Sequence, residues 1–555
     1  MEMTGRQAVL DIFRREAVEY IFGIPGATEV LLMDALEDCP DIKYVLGLHE
    51  VVVAGMAEGY ARTSGKAGVL NLHTGTGLSA ALPMLSNAYQ GGVPLVVTAG
   101  QQDTRLHAYE PALMGDLVGL ARPFTKWATE IIHAEDIPTI FRRAFKVATH
   151  PPTGPVFISL PQNVMDKGLN YEYSKSAPSY TRIHPDLESI QVAADIISRA
   201  QNPAIIVEDG VAKSEALVEV VEFAELIGAR VYEWWMSDVN FPLDHPLYAG
   251  DLDLASLRTR EILASVDVLV AIGTDLFSQP IYLEKPLLSP ATQVIQIDNN
   301  PWQIGKNFPV ASGLEGDIKV AVADLTSALK SKMTANTLEA VKARAKSICE
   351  ERRRVDKAFS EKALKEKDEV PISATHLMQE IRNNLKPGTR IVDDSWSCSA
   401  VLRRTLAFSE AKSYQRARGG GSIGWGLPGA LGVKLASPDR PVVCISGDGS
   451  ALWSIQSLWT AAHYNISVTY IICANACYQQ VRNMKALLMG EKANGRFLGT
   501  RLFPPQNDFC KIAEGMGVQA IRVERPEQLL SALQQAFNLD KPNLVEVYID
   551  NAPKM

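Results

Sequence analysis

Residues 441–453 read PVVCISGDGSALW, an apolar run that leads through Gly-Asp-Gly into a helical pattern. The run predicts a buried strand, and the glycines predict a tight turn at its carboxyl end. Ligands bind at this edge of parallel sheets, where glycines let the backbone approach a phosphate and a helix N-terminus offers free N–H groups. By itself the motif is more typical of an ordinary turn, so a ligand role for Asp448 needs a second observation.

That observation is Asn475, which ends the strand-like run VTYIICAN 27 residues after Asp448. One helix and one strand fill such a gap and return the chain to the same sheet edge. Asp and Asn oxygens, a main-chain carbonyl and phosphate oxygens together form the six-oxygen site that suits Mg²⁺. The pair therefore predicts a magnesium–diphosphate site.

Short apolar runs alternate with helical patterns along all 555 residues. This alternation predicts an α/β fold of three doubly wound parallel-sheet domains, over residues 1–165, 187–330 and 370–555. The Pro- and Tyr-bearing stretch 161–186 is interpreted as a linker. The highly charged stretch 338–370 is interpreted as a solvated helix that leads into another linker.

Composition excludes several classes of function. A net charge of −8 and a pI of about 5.7 argue against a nucleic-acid or membrane-surface partner. We find no apolar run long enough to span a bilayer and no signal-peptide pattern at the N-terminus. The seven Cys form no C-x-x-C pair, which favours reduced thiols in a cytoplasmic protein.

A further motif lies in the string LHEVVVAGMAEGYAR, where Glu50 starts a predicted helix. Taken alone, this carboxylate is typical of a helical first turn, where it complements the helix dipole. Together with Gly-Asp-Gly…Asn, however, the string resembles the signature of thiamine diphosphate (ThDP)-dependent enzymes. The strings NLHTGTG, PLVVTAGQQ and GWGLPGALGVKLA extend the likeness over essentially the whole chain.

Within that family the sequence is most similar to benzoylformate decarboxylases, with acetolactate synthases and benzaldehyde lyases as relatives. The resemblance implies pyrimidine-binding, central and diphosphate-binding domains in that order. It implies Mg²⁺ ligation by the side chains of Asp448 and Asn475 and by the main-chain carbonyl of Cys477. The residues implied to contact ThDP are Glu50, Ser397, Gly421, Ile423, Gly447, Asp448, Gly449, Ser450 and Asn475. Ser397 is equally consistent with a helix N-cap.

The resemblance also implies roles for individual residues. Glu50 would hydrogen-bond N1′ of the aminopyrimidine and so help remove a proton from the thiazolium near neutral pH. Gly421 would offer its carbonyl to the 4′-amino group, and Ile423 would be the apolar wedge that bends the cofactor. His73 matches an active-site His that relays protons, although a strand-end His is also typical of a structural hydrogen bond.

Several positions depart from the decarboxylase pattern. Ala27 stands where those enzymes have a Ser that contacts the substrate carboxylate, and residues 278–280 (Ser-Gln-Pro) stand where they have a second His. A small residue at 27 resembles benzaldehyde lyase and leaves room for an acceptor aldehyde. Leu113 stands where the carboligases place a Gln, so the chain fits neither subgroup cleanly. The family Asn-Asn-Gly is also replaced by residues 474–476 (Ala-Asn-Ala), which restricts the backbone.

The implied substrate pocket holds Ala27, His73, Leu113, Val481 and Met484. Val481 and Met484 replace bulkier apolar groups, which suggests an aliphatic or flexible site, although core packing explains them equally well. The basic stretch 485–505 is consistent with a lid or an acidic-substrate contact, and more so with a solvated loop. The central run AIIVEDGVAKSE lacks the Gly cluster of FAD-containing acetolactate synthases, so FAD is not expected.

We therefore expect a ThDP- and Mg²⁺-dependent carbon–carbon lyase, most similar to enzymes that decarboxylate a 2-oxo acid. One alternative is a carboligase or lyase that makes or cleaves 2-hydroxyketones, and another is a catalytically inactive binding protein with this fold. The expected partners are a small 2-oxo acid or aldehyde and further copies of the chain. By the resemblance these copies form a homodimer or homotetramer with active sites between chains.

Overall fold

A computed structural model describes residues 2–177, 181–252, 254, 256–278, 282, 286–417, 419–493 and 495–550. In the N-terminal domain six parallel strands form a sheet in the order β3-β2-β4-β5-β7-β6, and β1 pairs antiparallel with β8. Its strands are β1 (Glu2–Thr4), β2 (Tyr20–Gly23), β3 (Lys43–Leu46), β4 (Gly68–Leu72), β5 (Leu95–Gln101), β6 (Trp127–Glu130), β7 (Val156–Pro161) and β8 (Gly168–Asn170). Its helices are α1 (Gly5–Arg15), α2 (Val30–Glu37), α3 (Glu50–Ser64), α4 (Thr74–Gln90), α5 (Leu117–Ala121), α6 (Ile137–Thr149) and α7 (Gln162–Asp166).

The central domain has a parallel sheet in the order β11-β10-β9-β12-β13-β14. Its strands are β9 (Ala204–Val207), β10 (Arg230–Trp234), β11 (Tyr248–Leu252), β12 (Val268–Ile272), β13 (Gln293–Asp298) and β14 (Ser312–Glu315). Its helices are α8 (Leu187–Ser198), α9 (Gly210–Lys213), α10 (Leu217–Ile227), α11 (Leu257–Ser265) and α12 (Ile318–Lys330), and the long α13 (Ala335–Lys365) follows them.

The C-terminal domain repeats the parallel arrangement in the order β16-β15-β17-β18-β20-β19. Its strands are β15 (Arg390–Asp394), β16 (Tyr414–Arg416), β17 (Val442–Gly447), β18 (Thr469–Ala474), β19 (Gln519–Val523) and β20 (Asn543–Tyr548). Its helices are α14 (Ala374–Asn384), α15 (Ser399–Leu406), α16 (Gly426–Ala436), α17 (Asp448–Trp453), α18 (Ser457–His463), α19 (Gln479–Met489), α20 (Phe509–Gly515) and α21 (Pro526–Asn538).

The first and third sheets share one topology. Counted from the first strand of each sheet, both run 2-1-3-4-6-5, whereas the central sheet runs 3-2-1-4-5-6. The central strands of all three are buried runs of Val, Ile, Leu and Ala, because helices cover both faces. Three doubly wound parallel sheets are thus confirmed, and each of them directs the carboxyl ends of its strands to one edge.

Helix α3 of the N-terminal domain packs against α16 of the C-terminal domain within the same chain. The approach is a backbone contact, since a Cβ at Gly59 would lie 2.3 Å from the Gly429 carbonyl oxygen. In the same way, a Cβ at Gly432 would lie 2.1 Å from the Met56 carbonyl oxygen. Side chains at these positions would force the helices apart, so the glycines fix how the two sheets face each other.

A buried arginine ties all three domains together beside this contact. Arg62 of α3 donates to Asp238 of the central domain at 2.7 Å and to the Arg416 carbonyl of the C-terminal domain at 2.8 Å. Its guanidinium also lies 4.7 Å from the Trp425 ring centroid. Pairing within a buried cluster makes such an arginine costly to remove, since its partners would keep their desolvation penalty.

Of the two connecting segments, the charged stretch 338–370 has the expected structure and the stretch 161–186 does not. The charged stretch is a helix as expected, and of the residues in α13 only Val341 and Ile348 are buried. The stretch 161–186 is not a plain linker, because it begins with α7 and β8. Tyr171 and Tyr173 after β8 are buried, and their hydroxyls donate to Asp11 and Glu16 of the N-terminal domain.

Most strands at the edges of the three sheets were not predicted from the sequence. The central strands were all predicted, but β6, β11, β14, β16 and β19 were missed because they are short or only partly apolar. No helix in the part of the chain that the structure describes combines the length and apolarity needed to cross a membrane.

Candidate active site

Asp448 and Asn475 lie side by side at the carboxyl ends of the neighbouring strands β17 and β18. The Asp448 carboxylate accepts hydrogen bonds from the N–H groups of Gly449 (2.7 Å), Asn475 (3.1 Å) and Ala476 (2.6 Å). Within the described parts of the chain these backbone groups are its hydrogen-bond donors, and no lysine or arginine is among them. Burial raises the pKa of Asp448 to about 6. Among the described residues, the buried Asp448 carboxylate therefore has hydrogen bonds from the backbone but no ion pair with a lysine or arginine.

Asn475 adds an amide oxygen to the same place. Its Oδ1 accepts a hydrogen bond from the Cys477 N–H at 3.1 Å, and the Cys477 carbonyl accepts one from the Gln479 N–H at 3.0 Å. Asn475 Oδ1 also accepts from the Cys477 thiol at 3.5 Å, a weak donor that a cation could displace. Gly447 precedes α17, and Gly449 and Ser450 form its first turn. The structure thus brings together the residues that the sequence predicted for the metal.

The loop after Asn475 is held by residues 500–502, which belong to the stretch 485–505 that we interpreted as a lid, an acidic-substrate contact or, more readily, a solvated loop. Ala476 has a φ of +55°, in the left-handed region that a glycine adopts more easily. Its carbonyl accepts from the Leu502 N–H at 2.9 Å, and the Tyr478 N–H donates to the Thr500 carbonyl at 2.8 Å. Residues 500–502 therefore form a strap across residues 475–478, which we call the metal loop because the predicted ligands Asn475 and Cys477 lie there, whereas Leu498 is fully exposed.

Asp394, at the end of β15, organises the glycine-rich loop before α16. Its Oδ2 accepts from the N–H groups of Gly424 (2.9 Å) and Gly426 (3.0 Å), and its Oδ1 accepts from Trp396 Nε1 at 2.8 Å. Burial raises the pKa of Asp394 to about 7. The loop it holds carries Gly421, whose φ is +68°, and Ile423. Sequence reasoning missed Asp394.

Ser397 lies on the other side of Asp394, in the short 3₁₀ turn Trp396–Cys398. The helix-cap interpretation is wrong, because Cys398 precedes α15 and Ser397 caps no helix. The turn starts from a strained residue, since Trp396 has a φ of +50°. Asp394 therefore fixes two of the segments that were predicted to contact the cofactor.

Glu50 and His73 lie on the corresponding edge of the N-terminal sheet. Glu50 is the first residue of α3, which His49 caps by accepting the Val51 N–H at 3.1 Å. A Cβ at Gly77 of α4 would lie 3.2 Å from Glu50 Oε1, so the carboxylate rests against the helix backbone. His73 precedes α4, and its carbonyl accepts the Gly77 N–H at 2.9 Å. The Glu50 side chain and the His73 main-chain carbonyl thus meet the same first turn of α4.

Two residues that the sequence did not single out contact His73. Its Nδ1 lies 2.9 Å from Glu29 Oε2 and 3.0 Å from Thr28 Oγ1. Both partners follow β2 in the turn GIPGATE. The sequence signal for Glu29 was its position in the turn that follows β2. Only the pairing of β2 with β4 shows that this turn lies beside His73.

The predicted pocket residues lie at exposed positions of the single chain. Val481 is 54% exposed and Leu113 is 48% exposed, which removes core packing as the explanation for Val481. Leu113 has a φ of +69°, and Met484 is half-buried. Ala27 is exposed, and its carbonyl accepts from Gln162 Nε2 at 3.3 Å. Of residues 278–280, Ser278 is exposed, whereas Gln279 and Pro280 lie outside the described residues.

Within one chain, Glu50 and the glycine-rich loop touch opposite ends of α4. Glu50 rests against Gly77, whereas Ser422 Oγ donates to the Pro83 carbonyl at 2.9 Å and the Ser422 N–H donates to Asn87 Oδ1 at 3.1 Å. At a rise of 1.5 Å per residue, Gly77 and Asn87 are about 15 Å apart along the helix. Glu50 and the loop that carries Gly421 therefore contact different parts of α4 within one chain.

A second group of metal-type ligands is already occupied by an arginine. Asp508, Cys510 and Glu546 present ligand atoms within 4.8 Å of one another. Arg522 forms ion pairs with both Asp508 and Glu546, the latter at 3.1 Å. This cluster is therefore an ion-pair network at the sheet edge rather than a metal site.

Comparison with known proteins defines the class. Residues 3–120 match the N-terminal TPP binding domain of thiamine pyrophosphate enzymes, residues 190–325 match their central domain, and residues 396–547 match their C-terminal TPP binding domain. All three domains are thus those of a thiamine pyrophosphate enzyme. The chain belongs to the thiamine pyrophosphate (thiamine diphosphate) enzyme family.

Individual relatives span the decarboxylases and the synthases. The chain is 32% identical to a probable acetolactate synthase large subunit of Methanocaldococcus jannaschii, over 99% of this chain and 92% of the relative. It is 30% identical to a benzoylformate decarboxylase of Pseudomonas aeruginosa, over 98% of each chain. Among solved structures, the benzoylformate decarboxylase of Polynucleobacter necessarius superposes with a TM-score of 0.86 at 25% identity, over 99% of both chains. The 4-hydroxybenzoylformate decarboxylase of Rhodococcus jostii RHA1 gives 0.85 at 26% identity, over 100% of both.

Proposed function

We propose that this protein is a ThDP- and Mg²⁺-dependent carbon–carbon lyase that decarboxylates a 2-oxo acid. The observation that carries the proposal is the pair of half-sites on two sheets of equal topology. One presents Asp448 and Asn475, and the other presents Glu50 and His73. The decarboxylases among the relatives support the choice of reaction.

The C-terminal edge fits a metal-bound diphosphate. Asp448 and Asn475 offer hard oxygen atoms, and the Cys477 carbonyl offers a third, which together suit Mg²⁺. Asp448 is buried, and its hydrogen bonds come from backbone N–H groups, so a divalent cation would supply its missing countercharge. Gly447, Gly449, Ser450 and Ser397 would lie against the diphosphate, where glycines permit close approach.

The N-terminal edge fits proton transfer. When bound, ThDP supplies the electron sink that allows a bond next to a carbonyl to break. Glu50 would hold a proton at the pyrimidine ring, and His73 would exchange a proton with the reacting substrate. Gly421 and Ile423, positioned through Asp394, would orient the ring from the other side. Ala27, Leu113, Val481 and Met484 would line the pocket.

We further propose that the active unit contains at least two chains, as a homodimer or homotetramer. Within one chain, Glu50 rests against Gly77, whereas the loop next to Gly421 is bonded further along α4, through Ser422 to Pro83 and Asn87, so a second chain would supply one of the two contacts. The exposed apolar groups at the two edges, such as Val481 and Leu113, would then be covered by the partner.

A carboligase that forms 2-hydroxyketones is the second candidate. Ala27 favours it, because a methyl group at this exposed position leaves space for an acceptor aldehyde, and the acetolactate synthase relatives agree with it. Leu113 opposes it, because an apolar side chain cannot donate a hydrogen bond to an acceptor carbonyl. A catalytically inactive protein is disfavoured by the retention of Glu50, Asp448 and Asn475.

The deciding experiment uses the full chain loaded with ThDP and Mg²⁺. It is incubated with a panel of aliphatic and aromatic 2-oxo acids, with and without acetaldehyde or benzaldehyde as acceptor. Release of CO₂ and free aldehyde supports the decarboxylase, and hydroxyketone formation supports the carboligase. Binding of ThDP without turnover of any substrate would leave the inactive protein as the answer.

A further inference from the structure

Glu29 is the most fully engaged carboxylate near the N-terminal edge. Its side chain is 1% exposed. Oε1 accepts from the Gly100 N–H and from Thr28 Oγ1, each at 2.8 Å. Oε2 accepts from the Gly26 N–H at 2.9 Å and lies 2.9 Å from His73 Nδ1. Two backbone N–H groups and one hydroxyl thus fix the carboxylate before the imidazole is considered.

These contacts determine which nitrogen of His73 carries the proton. The Thr28 hydroxyl has one proton and directs it to Glu29, so its oxygen faces Nδ1 as an acceptor at 3.0 Å. Glu29 Oε2 is also an acceptor. With acceptors on both sides, Nδ1 has to be the donor, and the neutral ring then carries its lone pair on Nε2.

Packing fixes the ring plane as well. A Cβ at Gly26 would lie 2.2 Å from His73 Cγ and Nδ1, so the imidazole lies flat against the backbone of the turn that carries Glu29. A ring rotated by 180° would place a carbon against two acceptors and lose both contacts. The side chain remains 23% exposed, and Nδ1 is occupied, so Nε2 is the ring nitrogen open to proton exchange.

We propose that Glu29, assisted by Thr28, is a positioning residue that fixes His73 in the Nδ1–H tautomer and so makes Nε2 the proton-transferring atom. This inference rests on the proposed function, and it names the partner of His73 in a chain whose residues 278–280 contain no second His. Of the other titratable groups on these elements, Glu50 lies against Gly77 in the first turn of α4, and burial together with the Glu29 carboxylate raises the pKa of Tyr44.

The proton balance is simple. A proton from the substrate or solvent adds to the Nε2 lone pair, and the resulting imidazolium keeps its Nδ1–H on Glu29. The adjacent carboxylate offsets the new positive charge, and the same proton returns from Nε2 in the reverse step. Glu29 acts through His73 and does not touch the substrate.

The tautomer can be read without any turnover. Long-range ¹H–¹⁵N spectra of the ¹⁵N-histidine-labelled holoenzyme, recorded without substrate, distinguish Nδ1–H from Nε2–H, and His73→Gln assigns the signal. We expect Nδ1–H in the wild type and a population of Nε2–H in Glu29→Gln, whose amide can donate to Nδ1. An Nε2–H signal in the wild type would overturn the inference even if no variant folds.

Kinetics supply a second readout. Glu29→Gln should lower kcat about 10- to 100-fold, the usual effect of losing a residue that orients a catalytic group, with KM within about threefold. Glu37→Gln, which makes the same substitution at an exposed carboxylate at the end of α2, should retain wild-type kcat. An unchanged kcat in Glu29→Gln contradicts the inference. If no 2-oxo acid is turned over but the tautomer is Nδ1–H, the proposed function fails and the positioning role stands.

Discussion

The first and third domains have the same strand order, yet their functional edges are built in different ways. Directly after the third strand of each sheet, the N-terminal domain places His73 and the C-terminal domain places Asp448. His73 is held by side chains, Glu29 and Thr28, whereas Asp448 is held by backbone N–H groups.

This difference shows what each edge is suited for. Side-chain partners leave a titratable group free to gain and lose a proton, because the hydrogen bonds survive both states. At the other edge, backbone N–H groups offset part of the effect of burial, which raises the pKa of Asp448 to about 6, and a carboxylate held in this way suits a cation site. In the proposed function, one topology would therefore carry two chemistries, set by the residues at the strand ends.

The largest expected effect tests the proton-transferring edge. Glu50→Gln keeps the size of the side chain beside Gly77 but removes its proton exchange. We expect kcat to fall about 10²- to 10⁴-fold, the usual range for a lost acid–base group. The measurement is CO₂ release at saturating ThDP and Mg²⁺, with Glu37→Gln, an exposed carboxylate at the end of α2, as the control. Unchanged turnover would remove Glu50 from the mechanism.

The second prediction concerns the metal edge. Dialysis against a chelator should abolish activity, and Mg²⁺ should restore it. In Asp448→Asn the Mg²⁺ concentration for half-maximal recovery should rise about 10- to 100-fold, as expected for loss of one charge-assisted contact. Asp439→Asn, an exposed Asp in the turn before β17, is the matched control.

The Mg²⁺ dependence of Glu50→Gln shows whether the effect of Asp448→Asn is specific to the C-terminal sheet edge. Its half-maximal Mg²⁺ concentration should stay within a few-fold of the wild-type value, because its carboxylate lies on the other sheet. If the half-maximal Mg²⁺ concentration rose equally in both variants, the proposal that the metal ligands lie at the C-terminal edge alone would be contradicted.

The third prediction uses the buried carboxyl of Asp394. Its pKa rises from 3.8 to about 7, so between these pH values the folded state binds more protons than the unfolded state. Wild-type stability contributed by this group therefore falls as the pH rises through that window. Asp394→Asn has no such slope and loses about 1–3 kcal/mol from a hydrogen bond that an amide cannot accept.

The destabilisation caused by Asp394→Asn should consequently be larger at pH 5 than at pH 8. Thermal unfolding midpoints of both proteins, measured at several pH values in this range, give the comparison. A difference between the two midpoints that is constant with pH would show that the Asp394 carboxyl is ionised throughout.

The smallest effect tests the strained metal loop. Ala476→Gly removes a left-handed strain of about 1–2 kcal/mol and adds about 0.5–1 kcal/mol of backbone freedom in the unfolded chain. A net stabilisation of about 0.5 kcal/mol should raise the melting midpoint slightly. Ala474→Gly, two residues earlier inside β18, should lower it instead. If the melting midpoint fell in both variants, the left-handed backbone at Ala476 would cost little, and the hydrogen bonds from residues 500–502 would be what stabilises it.

The sequence predicted those features that depend on neighbours along the chain. The central strands, the helix that starts at Glu50 and the Asp448–Asn475 pair all follow from local pattern and spacing. Glu29 and Asp394 were missed, because they act on partners 44 and 30 residues away that only the sheet order brings close. The strap at residues 500–502 was missed for the same reason, since its bonds to 476–478 have no local signature.

That strap also affects how the cofactor is acquired. Because Leu502 and Thr500 hold Ala476 and Tyr478 in place from within the chain, the metal loop is ordered by protein contacts alone. An incoming magnesium–diphosphate pair then does not have to supply the free energy for folding its own cradle. Apoenzyme prepared by dialysis should accordingly reload by simple saturation, without the slow phase of a loop that must first find its shape.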